Sequence, residues 1–141
     1  MKVLKFTIAT MFVLLTASSC KNENKESATE KSQMQEVLAV HDEIMPKMGT
    51  VGNLINQIEV KIKETDSTEA LVTASKDLKD SHKAMMDWMK GFGEHFDSDE
   101  ILNGKELTSD KLKALDEQEA KIKALRDKMN SSIANAQNLL K

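Results

Sequence analysis

One cysteine, one proline, one tryptophan and no tyrosine occur among the 141 residues. A lone cysteine excludes a disulfide within the chain and a metal site built from several thiolates. Scarce aromatics, a single proline and five glycines give little material for sheets. Ala, Leu, Lys, Glu and Met, the residues helices use, dominate instead. The net charge of −3 is spread over both signs, so no basic stripe of the kind nucleic acid requires is present. Residues 6–16 are the longest apolar stretch, too short to span a bilayer as a permanent helix. No nucleophile elbow, phosphate-cradling glycine loop or H-E-x-x-H pattern is found, and the carboxylates are scattered along charged faces. Catalysis is not expected.

What is present begins with an address. Lys2 and Lys5 precede the apolar run, and Ala17-Ser18-Ser19 supply the small residues a signal peptidase needs, directly before Cys20. This arrangement resembles a bacterial lipoprotein signal, in which the cysteine is acylated and becomes the new N-terminus. Such signals usually carry Leu where Ala17 stands. The resemblance implies a domain outside the cytoplasm, lipid-anchored through Cys20 to the cell envelope, with the outer membrane the expected site. Removal of residues 1–19 leaves 122 residues, about −5 in charge, and room for one domain.

Residues 20–33 read as the lipidated cysteine and a polar tether, since only Ala28 is apolar between Lys21 and Gln33. As random coil it would reach roughly 20 Å, although Ser27 and Glu30 are spaced to cap a helix. Residues 34–141 form the domain. Met34, Leu38, His41, Met45, Met48, Gly52, Ile55 and Ile62 recur at helical spacing and are expected on one face, with a kink at Pro46. Asp66 and Glu69 are spaced as a capping box for a second helix to about Lys90, with Leu71, Leu78, His82, Met85, Met86 and Met89 inward, ended by Gly91-Phe92-Gly93. Residues 94–108 are a polar, acidic connection with a helical turn near Glu100 to Leu102, and His95 is expected to be exposed. Thr108 or Ser109 caps a third helix to about Leu140, striped by Leu112, Leu115, Ile122, Leu125, Met129, Ile133, Ala136 and Leu140. Glu117–Lys121 and Glu119–Lys123 belong to its solvated face. An all-α, antiparallel three-helix bundle of coiled-coil character is the expected fold.

One constellation is written twice. His41-x3-Met45-x2-Met48 and His82-x3-Met86-x2-Met89 have the same spacing, and five of the seven methionines beyond the signal lie around these two histidines. Each trio occupies an arc of about 60° on its helix. With a turn near residue 65, antiparallel neighbours face each other where residue numbers add to about 130. His41 would then face Met89, Met45 would face Met85 or Met86, and Met48 would face His82. Thioether sulfur and neutral imidazole select Cu(I) or another soft ion. Residues seven apart are separated by about 10.5 Å along the axis, so two sites are expected: His41 and Met45 with Met89, and His82 and Met86 with Met48. Trp88 could shield the cluster or lie over a cation. The alternative is plain packing, because methionine is a flexible core filler. A haem between His and Met is disfavoured by the absence of C-x-x-C-H and by the room three helices leave.

The segments His41-Asp42-Glu43-Ile44-Met45-Pro46-Lys47-Met48-Gly49 and Met85-Met86-Asp87-Trp88-Met89-Lys90-Gly91-Phe92 resemble a family of small bacterial lipoproteins, some labelled "viral A-type inclusion protein". The resemblance implies a helical lipoprotein and brings no known activity. Two functions follow as expectations. The first is Cu(I) binding; the second is a structural or adaptor role, with an envelope protein or a second copy of the chain as partner.

Overall fold

The computed structural model describes residues 23–64 and 68–141; all regular structure among them is helical. The signal at 1–19, Cys20, and Asp66 of the expected capping box lie outside the described residues. Five helices follow in order: α1 (Glu23–Ile44), α2 (Lys47–Glu64), α3 (Glu69–His95), α4 (Ser98–Leu102) and α5 (Ser109–Leu139).

Proline sets the first boundary. Pro46 has no N–H to give the carbonyl of Asp42, so the α-helical ladder stops there. Met45 N–H still reaches His41 O at 2.8 Å, and Met48 N–H closes a tighter turn onto Met45 O at 3.2 Å. The expected kink is thus a break between two helices. At its other end α1 starts at Glu23 and takes in much of the segment read as a tether. Gln33 Nε2 donates to Asp116 Oδ1 and Glu119 Oε2, both at 2.7 Å, which holds this part of α1 against α5.

Cross-links between helices give their directions. Gln33 meets Asp116 and Glu119, Lys47 Nζ meets Asn130 Oδ1 at 2.8 Å, and Lys61 Nζ meets Leu139 O at 2.7 Å. The residue numbers rise together, so α1 and α2 run parallel to α5. On α3 the sense reverses: Trp88 Nε1 donates to Gln118 O, while Ser81 Oγ meets Ser132 Oγ, each at 3.2 Å. In the packing, α3 lies along α5, α2 lies on α3 and α1 on α5.

The buried row of α1 and α2 differs from the expected one by one residue. Along α1 and α2 the core residues are Met34, Val37, Val40, Ile44, Val51, Leu54 and Ile58. That stripe is rotated by one residue, about 100°, from the stripe through His41, Met45, Gly52 and Ile55. Both obey helical spacing, and the one made of branched aliphatics removes more apolar surface from water than one interrupted by histidine and glycine. On α3 the core is Leu71, Ala74, Leu78, Met85, Trp88 and Phe92, with Ser75 and Ser81 also buried; His82 and Met86 are exposed. On α5 Leu115, Ile122, Leu125, Met129 and Ala136 of the expected row are buried, Leu112, Ile133 and Leu140 are half-buried, and Gln118 and Ser132 are buried as well.

The helix α3 runs through Gly91 and Gly93 to His95, beyond its expected end. Each glycine costs about 1 kcal/mol in a helix. Phe92 and Phe96 are both buried, and burial of such a side chain contributes about 1.5–3 kcal/mol. Phe96 N–H then bonds Phe92 O to cap the helix. At its start the cap is Thr68, whose hydroxyl accepts from Leu71 N–H.

Candidate functional site

The buried rows define a seven-residue repeat. Val37, Ile44, Val51 and Ile58 occupy its a positions in α1 and α2; Leu71, Leu78, Met85 and Phe92 occupy them in α3. The d positions are Val40, Lys47 and Leu54, and Ala74, Ser81 and Trp88. In this frame His41, Met45 and Met48 fall at e, b and e, and His82, Met86 and Met89 fall at the same e, b and e. The e flanks are the ones two antiparallel helices turn toward each other. An ion pair at 2.6 Å between Glu59 and Lys79, both at b, joins these flanks of α2 and α3. By this register all six occupy e or b positions, on the shoulders of the core where the arm of α1 and α2 faces α3, and the His41–Trp88 stack crosses between the two.

Their surroundings are unequal. The His41 side chain is 24% exposed and its ring stacks on Trp88, with centroids 5.8 Å apart and planes 29° from parallel. Trp88 stacks in turn on Phe92 at 4.9 Å, and Phe92 meets Phe96 at 4.9 Å. His41 Nδ1 lies 2.9 Å from Asp42 Oδ1. An ionised carboxylate only accepts, so Nδ1 carries the proton in the neutral ring and Nε2 keeps its lone pair. A histidine held this way by a carboxylate is the arrangement of metal-ligating imidazoles. His82 is exposed, with no ring contact, hydrogen bond or ion pair among the described residues.

The methionines divide similarly. Met48 and Met89 are half-buried and pack against the core. Met45 and Met86 are 38% and 49% exposed, and Met85, beside Met86, is fully buried. Plain packing accounts for Met85 and for much of Met48 and Met89. It leaves Met45, Met86 and His82 unexplained. Trp88, expected over the cluster, lies beneath the His41 end of it.

No three His, Cys, Asp or Glu side chains gather to hold a metal ion among the described residues. The donors that His41, His82 and the methionines offer here are imidazole nitrogen and thioether sulfur, which suit soft ions.

Two other regions have features a site could use. Around α4, Asp97 accepts from Asp99 and Glu100 N–H, and Glu100 returns a bond to Asp97 N–H, closing a capping box. Lys111 Nζ binds both oxygens of buried Glu100, at 2.7 and 2.6 Å, and Lys105 Nζ binds Asp97 at 2.8 Å. The Lys111 ammonium, then the Asp97 N–H, hold the Glu100 carboxyl below its usual range. Lys105, then backbone N–H groups, do the same for Asp97. Asp97, Glu100, Lys105 and Lys111 are each paired with one another or with backbone, which marks structure. Between α3 and α5 runs an open groove of about 560 Å³, lined by Trp88, Leu125, Ala84, Gly91 and Ala124. Its rim residues Asp87 and Lys121 already pair with Lys83 and Glu117.

No protein-family model, curated protein or solved structure matches this chain.

Sequence reasoning missed Asp42 and the depth of Trp88. Asp42 is adjacent to His41, and the i, i+4, i+8 spacing of Trp88, Phe92 and Phe96 was the available signal for an aromatic row along one helix face.

Proposed function

We propose that this chain is a bacterial envelope lipoprotein, acylated at Cys20, that binds Cu(I) along the seam of His41, Met45, Met48, His82, Met86 and Met89. Its helices form an antiparallel three-helix bundle in which α1 and α2 act as one bent arm. It has no catalytic role. Neutral imidazole and thioether donors suit a d10 soft cation outside the cytoplasm, where free thiols are oxidised.

The observation that carries the reading is the placement of Met45, His82 and Met86. They are solvent-exposed on the flank shared with the ordered His41, where core packing gives no reason for them. The test is an anaerobic Cu(I) titration of the mature acylated chain, in detergent micelles, against a colorimetric Cu(I) chelator. Uptake of one or two ions per chain is expected, with a loss of at least about tenfold in affinity when His41 and His82 are both changed to Leu. No uptake, or uptake unchanged in that variant, overturns the metal site. Labelling by radioactive palmitate that persists in Cys20→Ser would overturn the anchor.

A second reading, an adaptor that binds another envelope protein, draws on the groove between α3 and α5. It gains if the chain takes up no Cu(I) and substitutions along Ala84, Gly91 and Ala124 abolish a specific association.

A further inference from the structure

The two copies of the motif have the same spacing and the same repeat positions, yet His41 has ring and hydrogen-bond partners and His82 has none among the described residues. Resting on the Cu(I) reading above, we infer that the seam has two stations. One is a holding station at His41, and the other is a surface exchange station at His82 and Met86, where the ion passes to a soft-ligand Cu(I) carrier.

The holding station follows from the geometry of His41. Its ring stacks on Trp88 at 5.8 Å and its Nδ1 lies 2.9 Å from the exposed carboxylate of Asp42, two contacts that narrow its orientations. A ligand already fixed in place loses little freedom when the ion binds, so it adds affinity. Nε2 is the nitrogen left to coordinate. Met89, next to Trp88 on the apposed e flank, is half-buried and is the sulfur nearest in register.

The exchange station follows from what His82 and Met86 lack. They are four residues apart on α3, so both reach the same side of the helix, and both are exposed. Met86 is 49% exposed, and the His82 ring has no ring contact, hydrogen bond or ion pair among the described residues. Ligands open to solvent leave one side of a bound ion accessible to an incoming donor. A carrier's thioether, imidazole or thiolate can form its bond to copper there while a bond to Met86 or His82 breaks. The copper remains Cu(I) throughout, and no electron moves. The partner this surface fits is therefore a carrier presenting soft donors.

The experiment loads the mature acylated chain with Cu(I) and follows transfer to a soft chelator by stopped flow, over a range of chelator concentrations. The expected rate rises in proportion to chelator. In the His82→Leu, Met86→Leu double variant it should fall at least about tenfold, with a smaller loss of affinity than in the His41 variant. His41→Gln and Asp42→Asn should each lower affinity by about tenfold or more, as loss of a ligand or of the group orienting it does. Asp42→Asn keeps the ring on Trp88, so its melting curve separates lost affinity from lost folding. A parent rate independent of chelator concentration overturns the exchange station while leaving Cu(I) binding in place. Equal loss of affinity in the His82/Met86 and His41 variants also overturns it. A parent that takes up no Cu(I) overturns the binding reading and this inference together.

Discussion

The corner around α4 and the seam between α2 and α3 both gather side chains that could do chemistry, and they differ in whether those groups are already engaged. At the corner, Asp97, Glu100, Lys105 and Lys111 consume one another's hydrogen-bonding capacity and that of the local backbone. At the seam, His82 has no partner among the described residues, and Met45 and Met86 extend into solvent. A cluster of charged residues by itself therefore says little about function. Satisfied groups hold a fold together, whereas unsatisfied ones are free to take a ligand.

The largest effect is expected at Met85, in the core beside the seam. This side chain is fully buried while its neighbour stands outside. Met85→Ala should destabilise the chain by about 3 kcal/mol, the usual cost of emptying a buried methionine site, as read by urea unfolding monitored at 222 nm. A cost under about 1 kcal/mol would place the core boundary elsewhere.

Next in size is the corner. Glu100→Ala leaves the Lys111 ammonium and the Asp97 N–H without their acceptor, and should cost about 2 kcal/mol. Lys111 is one-third exposed, so water compensates part of the loss and keeps the figure below that of a fully buried pair. The same group makes stability depend on pH. Glu100 is held below its ordinary 4.5 and Asp97 below its ordinary 3.8 in the folded chain. The unfolded chain thus takes up protons first as the medium is acidified. The stabilisation is complete above about pH 4.5 and is lost as pH falls through the lowered folded-state values. The urea midpoint should stay level from neutrality to about pH 5 and then decline. Glu100→Gln should make that decline shallower; an unchanged slope would mean that the pair contributes nothing to acid stability.

Much of the helical order was legible in the sequence, because its signals were local. Thr108 ahead of a polar turn, Pro46 after Met45, and the aliphatic row of α5 each depend on a few neighbouring residues. The orientation of α1 and α2 was not. Two stripes one residue apart both fit a 3.6-residue period, and only packing against α3 and α5 selects between them. Val37, Val40 and Ile44 are buried, and His41 and Met45 turn onto the shoulder. The repeat spacing still placed both motif copies on equivalent flanks, since a rotation of each helix moves a whole trio together. The inequality between His41 and His82 was beyond periodicity. It comes from Asp42 and Trp88 lying beside one copy, and Trp88 reaches His41 only through the fold.

The smallest expected effect is the one that bears most on function. Met86→Ala removes a side chain about half in water from the middle of a long helix. It forfeits little apolar burial, and alanine is the better helix former. The two contributions nearly cancel, so the urea midpoint should move by less than about 0.5 kcal/mol in free energy. Set beside Met85→Ala, the contrast is between adjacent residues of the same type on the same helix. If Met86→Ala instead costs as much as Met85→Ala, the exposed methionine is holding the fold and the seam has no free ligands. If it leaves stability unchanged and slows Cu(I) transfer, the side chain's purpose lies outside folding, as its position on the shoulder of the core requires.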